Sequence, residues 1–98
     1  MARVRMSPQA RRDLFDILQY LSDQAGVSVA RKYETRFKGV VARLRKFPGV
    51  GTPRSDLGPE TRLVTVDPYQ VFYDGGPKSA EVRVLCILHG ATATSRFS

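Results

Sequence analysis

The chain has 98 residues, 42% of them apolar and 26% charged, and carries a formal net charge of +7. This size and composition predict one folded domain over residues 1–98, because neither half would bury a stable core alone. We expect neither a membrane span of about 20 apolar residues nor a signal peptide, but a cytoplasmic protein. One cysteine and one histidine exclude an internal disulfide and argue against a metal site, so no cofactor is expected.

A short strand and a helix are predicted at the start of the chain. Val4 and Met6 alternate with arginines, as in a half-buried strand. Ser7 and Pro8 then favour a helix start, because a serine oxygen can cap free N–H groups and proline at the first position loses no hydrogen bond. Apolar residues at helical spacing extend this helix to Gly26, where glycine favours its end.

A second helix is predicted from an apolar stripe that runs from Val29 to Phe47 at spacings of three and four residues. Its connection to the first helix is short, which predicts an antiparallel hairpin. Gly39 costs about 1 kcal/mol relative to alanine inside a helix. Close approach of the first helix to this position would explain why a glycine stands there. Pro48 ends the second helix.

The positive charge is concentrated in these helices. Residues 1–47 contain eleven Lys and Arg against four acids, whereas residues 48–98 contain five of each sign. Such a surface can simply keep the protein soluble. It can also bind an acidic partner, either nucleic acid or protein.

The second half is predicted to be a loop followed by a sheet. Residues 48–60 hold three prolines and three glycines and lack the features of a phosphate-binding P-loop. Three strands with two turns follow, over 62–66, 69–74 and 81–89, with turns at Asp67-Pro68 and Gly75-Gly76-Pro77. The order β-α-α-β-β-β predicts fold class α+β, a two-helix hairpin on one face of a small, mainly antiparallel sheet.

The last strand is predicted to have two different faces. Alternation places Val82, Val84, Cys86 and Leu88 on one face, and Arg83, Leu85, Ile87 and His89 on the other. The first face is apolar throughout and should lie against the helices, with Cys86 as a small core residue. The second face has apolar residues between two basic ones, which makes it a candidate binding surface.

The whole pattern resembles the ParE/RelE superfamily of bacterial toxins. The resemblance rests on the order of elements and on four segments, MSPQARRDLFDILQYL, FPGVGTPRSDLGPETR, YQVFYD and VRVLCILHG. It extends from about Val4 to Gly90. It implies the toxin half of a type II toxin–antitoxin module, encoded beside an antitoxin that binds and neutralises it.

Two activities occur in this superfamily, and the end of the chain favours one of them. RelE-like members cut mRNA on the ribosome and carry a His-Arg pair at the end of the last strand, with a tyrosine about five residues on. Here His89 matches, but Gly90 replaces the arginine, Thr94 stands near the tyrosine position, and Arg96 is the only further cation. Metal-free RNA cleavage needs a base, a cation and an acid, so the site is incomplete.

The resemblance therefore implies a ParE-like toxin that inhibits DNA gyrase by binding and is not an enzyme. We predict that Arg54, Arg83 and His89 bind the target. A ParD-like antitoxin with an acidic C-terminal segment is expected to bind basic residues of the second helix, namely Arg31, Lys32, Arg36, Lys38 and Arg43.

Two alternatives remain open at this point. A RelE-like, ribosome-dependent endoribonuclease would use Arg54, Arg62, Arg83 and His89 as a reduced basic site. A nucleic-acid-binding module would use the basic second helix, although that helix has no recognisable reading motif. Individual residues also have structural interpretations: an Arg83–Asp74 pair, a strand-end cap at His89, and Tyr69 and Tyr73 filling the sheet rather than stacking on bases.

Overall fold

Two helices and five strands are described by the computed structural model, which covers residues 1–75 and 80–90. In chain order they are β1 (Arg3–Met6), α1 (Pro8–Ala25), α2 (Val27–Lys46), β2 (Thr52–Pro53), β3 (Thr61–Val66), β4 (Tyr69–Asp74) and β5 (Glu81–His89). The predicted order is confirmed, with β2 added inside the segment predicted as loop. Gly76 and Pro77 of the second predicted turn, and Thr94 and Arg96, lie outside the described residues.

The strands form one sheet in the order β1-β5-β4-β3-β2. β1 pairs with β5 in parallel, and the other neighbours are antiparallel. The sheet is therefore mixed but mainly antiparallel, and the α+β class is confirmed. Among the described strands, β5 lies inside the sheet although it is the last in sequence, whereas β1 and β2 form the two edges.

The start of α1 is fixed to β5 by side-chain hydrogen bonds. The Ser7 hydroxyl accepts the backbone N–H of Ala10 at 3.0 Å and donates to the Leu85 carbonyl at 2.7 Å. Further along α1, Asp13 Oδ2 accepts the backbone N–H of Ile87 at 2.9 Å. Ser7 thus caps the helix and binds the sheet at once, and the predicted helix start is confirmed.

Both helices pack on one face of the sheet, which we call the helix side; the opposite face is the open side. The core between the layers includes Phe37, Val40 and Leu44 of α2, with Val71, Tyr73, Val82 and Val84 of the sheet. The described helices lack the apolar length that crossing a membrane would require.

The structure requires a glycine at one position of the hairpin, Gly26, but not at the other, Gly39. Gly26 joins α1 to α2 with a φ of +96°, a backbone conformation that other residues rarely adopt. Gly39 lies on the exposed surface of α2, and a Cβ built there would meet nothing within 4 Å. The predicted close approach of α1 to Gly39 is therefore wrong, because neither α1 nor any other described element packs against this position.

A β-bulge at Leu85 changes which side chains of β5 face the helices. Val84 pairs with Tyr73 and Cys86 pairs with Phe72, so Leu85 is an extra residue between two paired positions. The pleat is interrupted there, and the alternation of side chains shifts by one residue.

The single alternation predicted for β5 is consequently wrong beyond the bulge. Ile87 packs in the helix-side core, where the sequence predicts Cys86 and Leu88. Those two residues instead lie on the open side in a second apolar cluster with Phe72 and Leu57. Cys86 is half-buried in that cluster rather than enclosed beneath the helices.

The exposed glycine of α2 gives a first prediction. Gly39→Ala should stabilise the protein by about 1 kcal/mol, because alanine loses less backbone entropy on folding and meets no steric obstacle. For a domain of this size, that corresponds to a rise of about 4–8 °C in melting temperature. Circular dichroism during heating measures it.

Gly26→Ala is the matched control, since the same methyl group is added at a positive φ. It should lower the melting temperature. A lower melting temperature for Gly39→Ala as well would contradict the open space found around Gly39.

Candidate functional site

The turn between α2 and β2, residues 47–51, is held by two side chains of the sheet. The Tyr73 hydroxyl donates to the Pro48 carbonyl at 2.8 Å and accepts the N–H of Gly51 at 2.9 Å. Arg62 Nη1 donates to two further carbonyls of the turn, at 3.0 and 2.8 Å. This α2–β2 turn has no regular secondary structure, yet the sheet satisfies four of its backbone groups.

Close packing explains why the turn ends in glycine. A Cβ at Gly51 would lie 2.7 Å from the Tyr73 hydroxyl oxygen and 2.8 Å from the Leu63 carbonyl oxygen. Tyr73 is fully buried, and desolvation raises the pKa of its phenol above the ordinary value. The segment Phe47-Pro48-x-x-Gly51, one basis of the family resemblance, therefore serves as a structural anchor.

Arg54, predicted to bind the target, is engaged within its own loop on the open side. Its Nε and Nη2 donate to the two carboxylate oxygens of Asp56, both at 3.0 Å. The guanidinium also lies 5.8 Å from the centroid of the Phe72 ring. The hydrogen bonds between them raise the pKa of Arg54 and lower the pKa of Asp56. Arg54 is thus a partly exposed cation with an internal partner.

Arg83 lies on the same open side and is exposed. It stands opposite Asp74 in the register, but the two do not form the ion pair considered from the sequence. Asp74 instead accepts a hydrogen bond from Thr61 Oγ1 at 2.6 Å. Among the described carboxylates, none lies within ion-pair distance of Arg83. Its charge is available to solvent or a partner.

His89 lies on the helix side, at the end of β5. Its ring meets the Tyr69 ring edge-on, with the centroids 5.8 Å apart, and Tyr69 meets Tyr33 of α2 in the same way. Tyr69 is only 6% exposed, so it fills the sheet face and is not available for base stacking. The next residue, Gly90, donates its N–H to the Pro68 carbonyl at 2.8 Å.

The four residues of the alternative nuclease site do not come together. Facing residues of antiparallel strands share a side, which puts Arg62 and His89 on the helix side and Arg54 and Arg83 on the open side. Arg83 and His89 are also six residues apart on one strand, about 20 Å. No described group of three His, Cys, Asp or Glu side chains is placed to hold a metal ion either.

Six of the seven basic residues of α2 form two exposed stripes on different sides of the helix, because residues four or seven apart lie on the same side. The groove stripe contains Arg31, Lys38 and Arg45; the outer stripe contains Lys32, Arg36 and Arg43. On the outer stripe, Arg36 lies 5.1 Å from the centroid of the Tyr33 ring. The five residues predicted to bind an antitoxin are therefore divided between two surfaces.

An apolar groove of about 310 Å³, the helix groove, opens beside the groove stripe. Its apolar lining comes from both helices, β1 and the sheet, and includes Met6, Leu14, Phe37, Val41, Val84 and Ile87. Glu34, Lys38 and Arg45 are its charged lining residues. A groove of this kind can take apolar side chains while its cations face acidic ones.

The helix groove reaches the edge of the sheet at Met6 of β1. The N–H groups of Arg3 and Ser7 donate to the carbonyls of Ala80, just before β5, and Val84 of β5, so by alternation those of Val4 and Met6 point away from the sheet. β5 is the only neighbour of β1 among the described strands. A free edge of this kind binds extended chains through backbone hydrogen bonds.

The sequence alone does not identify the helix groove or the exposed side chains of the α2–β2 turn. The available signals are Val41, an apolar residue outside the main stripe of α2, and Phe47, which the helical spacing includes in that stripe. Phe47 follows the last residue of α2 and is 61% exposed. Where the helix ends, helical spacing no longer predicts which way a side chain points.

Comparison with known proteins gives consistent results. The family model for the ParE toxin of type II toxin–antitoxin system, parDE, matches residues 4–94. Toxin ParE3 of Caulobacter vibrioides is 36% identical over 90 residues, covering 92% of this chain and 88% of that protein. Toxin ParE1 of the same organism is 31% identical over 85 residues, covering 87% and 88%.

A solved structure shares the fold. A chain of the chromosomal ParDE TA system from P. aeruginosa aligns with a TM-score of 0.73 at 22% identity. The alignment covers 91% of this chain and 96% of that chain.

The contacts of Arg62 predict a structural role for it. Arg62→Met keeps the length of the side chain but leaves two carbonyls of the α2–β2 turn without their donor. The free energy of unfolding should fall by about 1.5–3 kcal/mol, as for hydrogen bonds from charged groups. Urea denaturation measures this change.

Arg83→Met, the same substitution at an exposed arginine, should stay within about 0.5 kcal/mol of the wild type. If the free energy of unfolding falls equally in Arg62→Met and Arg83→Met, the hydrogen bonds of Arg62 to the turn do not stabilise the fold.

Proposed function

The chain belongs to the ParE family of toxins from type II toxin–antitoxin systems, and on this basis we propose that it inhibits DNA gyrase by binding to it and so blocks DNA replication. Inhibition by binding requires an exposed, preformed surface and no reacting side chain. The protein offers exposed cations on both faces of a rigid α+β scaffold.

The main support for this proposal over the nuclease alternative is that the four basic residues of the nuclease site lie on opposite sides of the sheet. General acid–base cleavage needs its groups within hydrogen-bond reach of one scissile bond. Here two of the four residues lie on each side of the sheet. Arg62 is bound to backbone carbonyls and Arg54 to Asp56, so neither is a free cation beside His89.

We further propose that a ParD-like antitoxin segment binds in the helix groove. The segment is expected to be largely disordered when free and to fold on the toxin. Its apolar side chains would lie against Met6, Leu14 and Val41, and its acidic side chains would face Lys38 and Arg45. An extended part of the segment can add to the free edge of β1.

The target is tested with two reactions run in parallel. Purified protein should inhibit supercoiling of relaxed plasmid by gyrase and ATP, and it should leave mRNA on translating ribosomes intact. His89→Ala removes one of three predicted target contacts and should reduce inhibition and toxicity only slightly, whereas a nuclease that used His89 as a general base would lose at least about 10²-fold in rate.

The fold of His89→Ala is checked by its soluble yield and melting temperature, because the loss of the Tyr69 contact can cost about 1 kcal/mol. If the protein cleaves mRNA and leaves gyrase active, the proposal is wrong and the endoribonuclease alternative is correct. Binding to DNA alone with a steep salt dependence would favour the nucleic-acid-binding module.

The antitoxin site is tested by reversing charges on the two stripes of α2. Lys38→Glu/Arg45→Glu should slow association with the antitoxin and reduce its salt dependence, since both residues line the helix groove. Stopped-flow measurements at several salt concentrations give both quantities.

Arg36→Glu/Arg43→Glu changes the net charge by the same amount on the outer stripe and should affect association less. A larger effect from this control pair would place the antitoxin on the outer stripe and contradict binding in the helix groove.

A further inference from the structure

Two apolar side chains project into solvent from the α2–β2 turn. Phe47 is 61% exposed and Val50 is 40% exposed. They stand at the two ends of a tight reversal, in which the Val50 N–H donates to the Phe47 carbonyl at 3.0 Å. Two exposed apolar side chains on one short turn form a candidate interaction surface.

The backbone beneath these side chains is fixed. Tyr73 and Arg62 bind the turn from the sheet side, and Gly51 packs directly on the Tyr73 ring. A turn held in this way loses little conformational entropy when a partner binds, which favours affinity. The structure therefore presents Phe47 in a position that is set before any encounter.

Cations surround the exposed pair. Arg43 lies one helical turn before Phe47, whose N–H donates to the Arg43 carbonyl at 2.7 Å, and Lys46 immediately precedes it. Stabilisation of the helix C-terminus accounts for basic residues in the last turn of α2. It does not account for an exposed phenylalanine next to them.

We propose that this tip, Phe47 and Val50 flanked by Arg43 and Lys46, is the surface with which the toxin binds its protein target. Phe47 inserts into an apolar pocket of the target whose rim carries carboxylates. The inference rests on the proposed function, inhibition by binding, and assigns it a contact surface other than Arg54, Arg83 and His89.

The shape and chemistry of the tip favour a protein over nucleic acid. Single strands are bound by grooves in which several aromatic rings stack on successive bases. The tip pairs one ring with a branched aliphatic side chain, Val50, which has no face for stacking. A second copy of this chain is disfavoured, because two such tips would bring like charges together.

The tip and the helix groove are separate surfaces near the same end of α2. Arg45, a lining residue of the helix groove, is two residues from Phe47. The groove and the tip therefore lie at the same end of α2 but on different sides of the helix. The two surfaces are neighbours but do not share their apolar residues.

The test compares Phe47→Ala with Phe15→Ala, which removes an equally exposed ring (66%) from α1. Phe47→Ala should bind gyrase at least about tenfold more weakly than the wild type, as expected for loss of an interface anchor, and should lose growth arrest. It should keep the wild-type melting temperature and affinity for the antitoxin. Phe15→Ala should match the wild type in all four measurements.

Full growth arrest by Phe47→Ala at equal expression would overturn the proposal. If the wild type arrests growth but leaves gyrase active, gyrase is the wrong target, and growth arrest by the two variants still decides whether the tip binds the target. If Phe47→Ala instead loses binding to DNA in the absence of protein, the tip binds nucleic acid and the proposed apolar pocket is wrong.

Discussion

The hydrogen bonds of Tyr73 and Arg62 to the α2–β2 turn determine which side chains the protein exposes at this end of the sheet. Two side chains from neighbouring strands bind four backbone groups of a segment that has no secondary structure of its own. Their hydrogen bonds hold the backbone of Pro48, Gly49 and Gly51, in the turn that carries Phe47 and Val50. The same contacts occupy Arg62, so a residue that looks like an available cation in the sequence is a structural one. Because Tyr73 is fully buried, this anchoring belongs to the core and not to a surface loop.

The position of α2 in the fold determines which surfaces its basic residues adjoin. A net positive charge gives affinity for acidic partners in general but no orientation. Packing one side of α2 on the sheet separates its cations into the groove stripe and the outer stripe, each next to different neutral chemistry. The groove stripe adjoins an apolar groove and a free strand edge, while the outer stripe leads toward Phe47. One helix can thus face two partners in different ways.

Local sequence signals predicted the elements well, and interactions between distant residues account for what they missed. Ser7 identified the start of α1 because capping depends on adjacent residues, and its bond to Leu85 could not be read from the sequence. The bulge at Leu85 arises from pairing with β4, so simple alternation placed Ile87 on the wrong side. The separation of Arg62 from Arg83 likewise follows from register, which spacing along the chain does not specify.

The pairing of β1 with β5 makes the first strand depend on the last one. Their partners, such as Val4 and Val82, are nearly the whole described chain apart, and the start of α1 is bonded to β5 as well. Contacts of such long range form slowly, since a large loop must close before they contribute. During synthesis, at roughly 5–20 residues per second, the helix hairpin would emerge several seconds before β5 does. Until then neither β1 nor Ser7 has its partner strand, so a ribosome-bound fragment lacks the completed sheet.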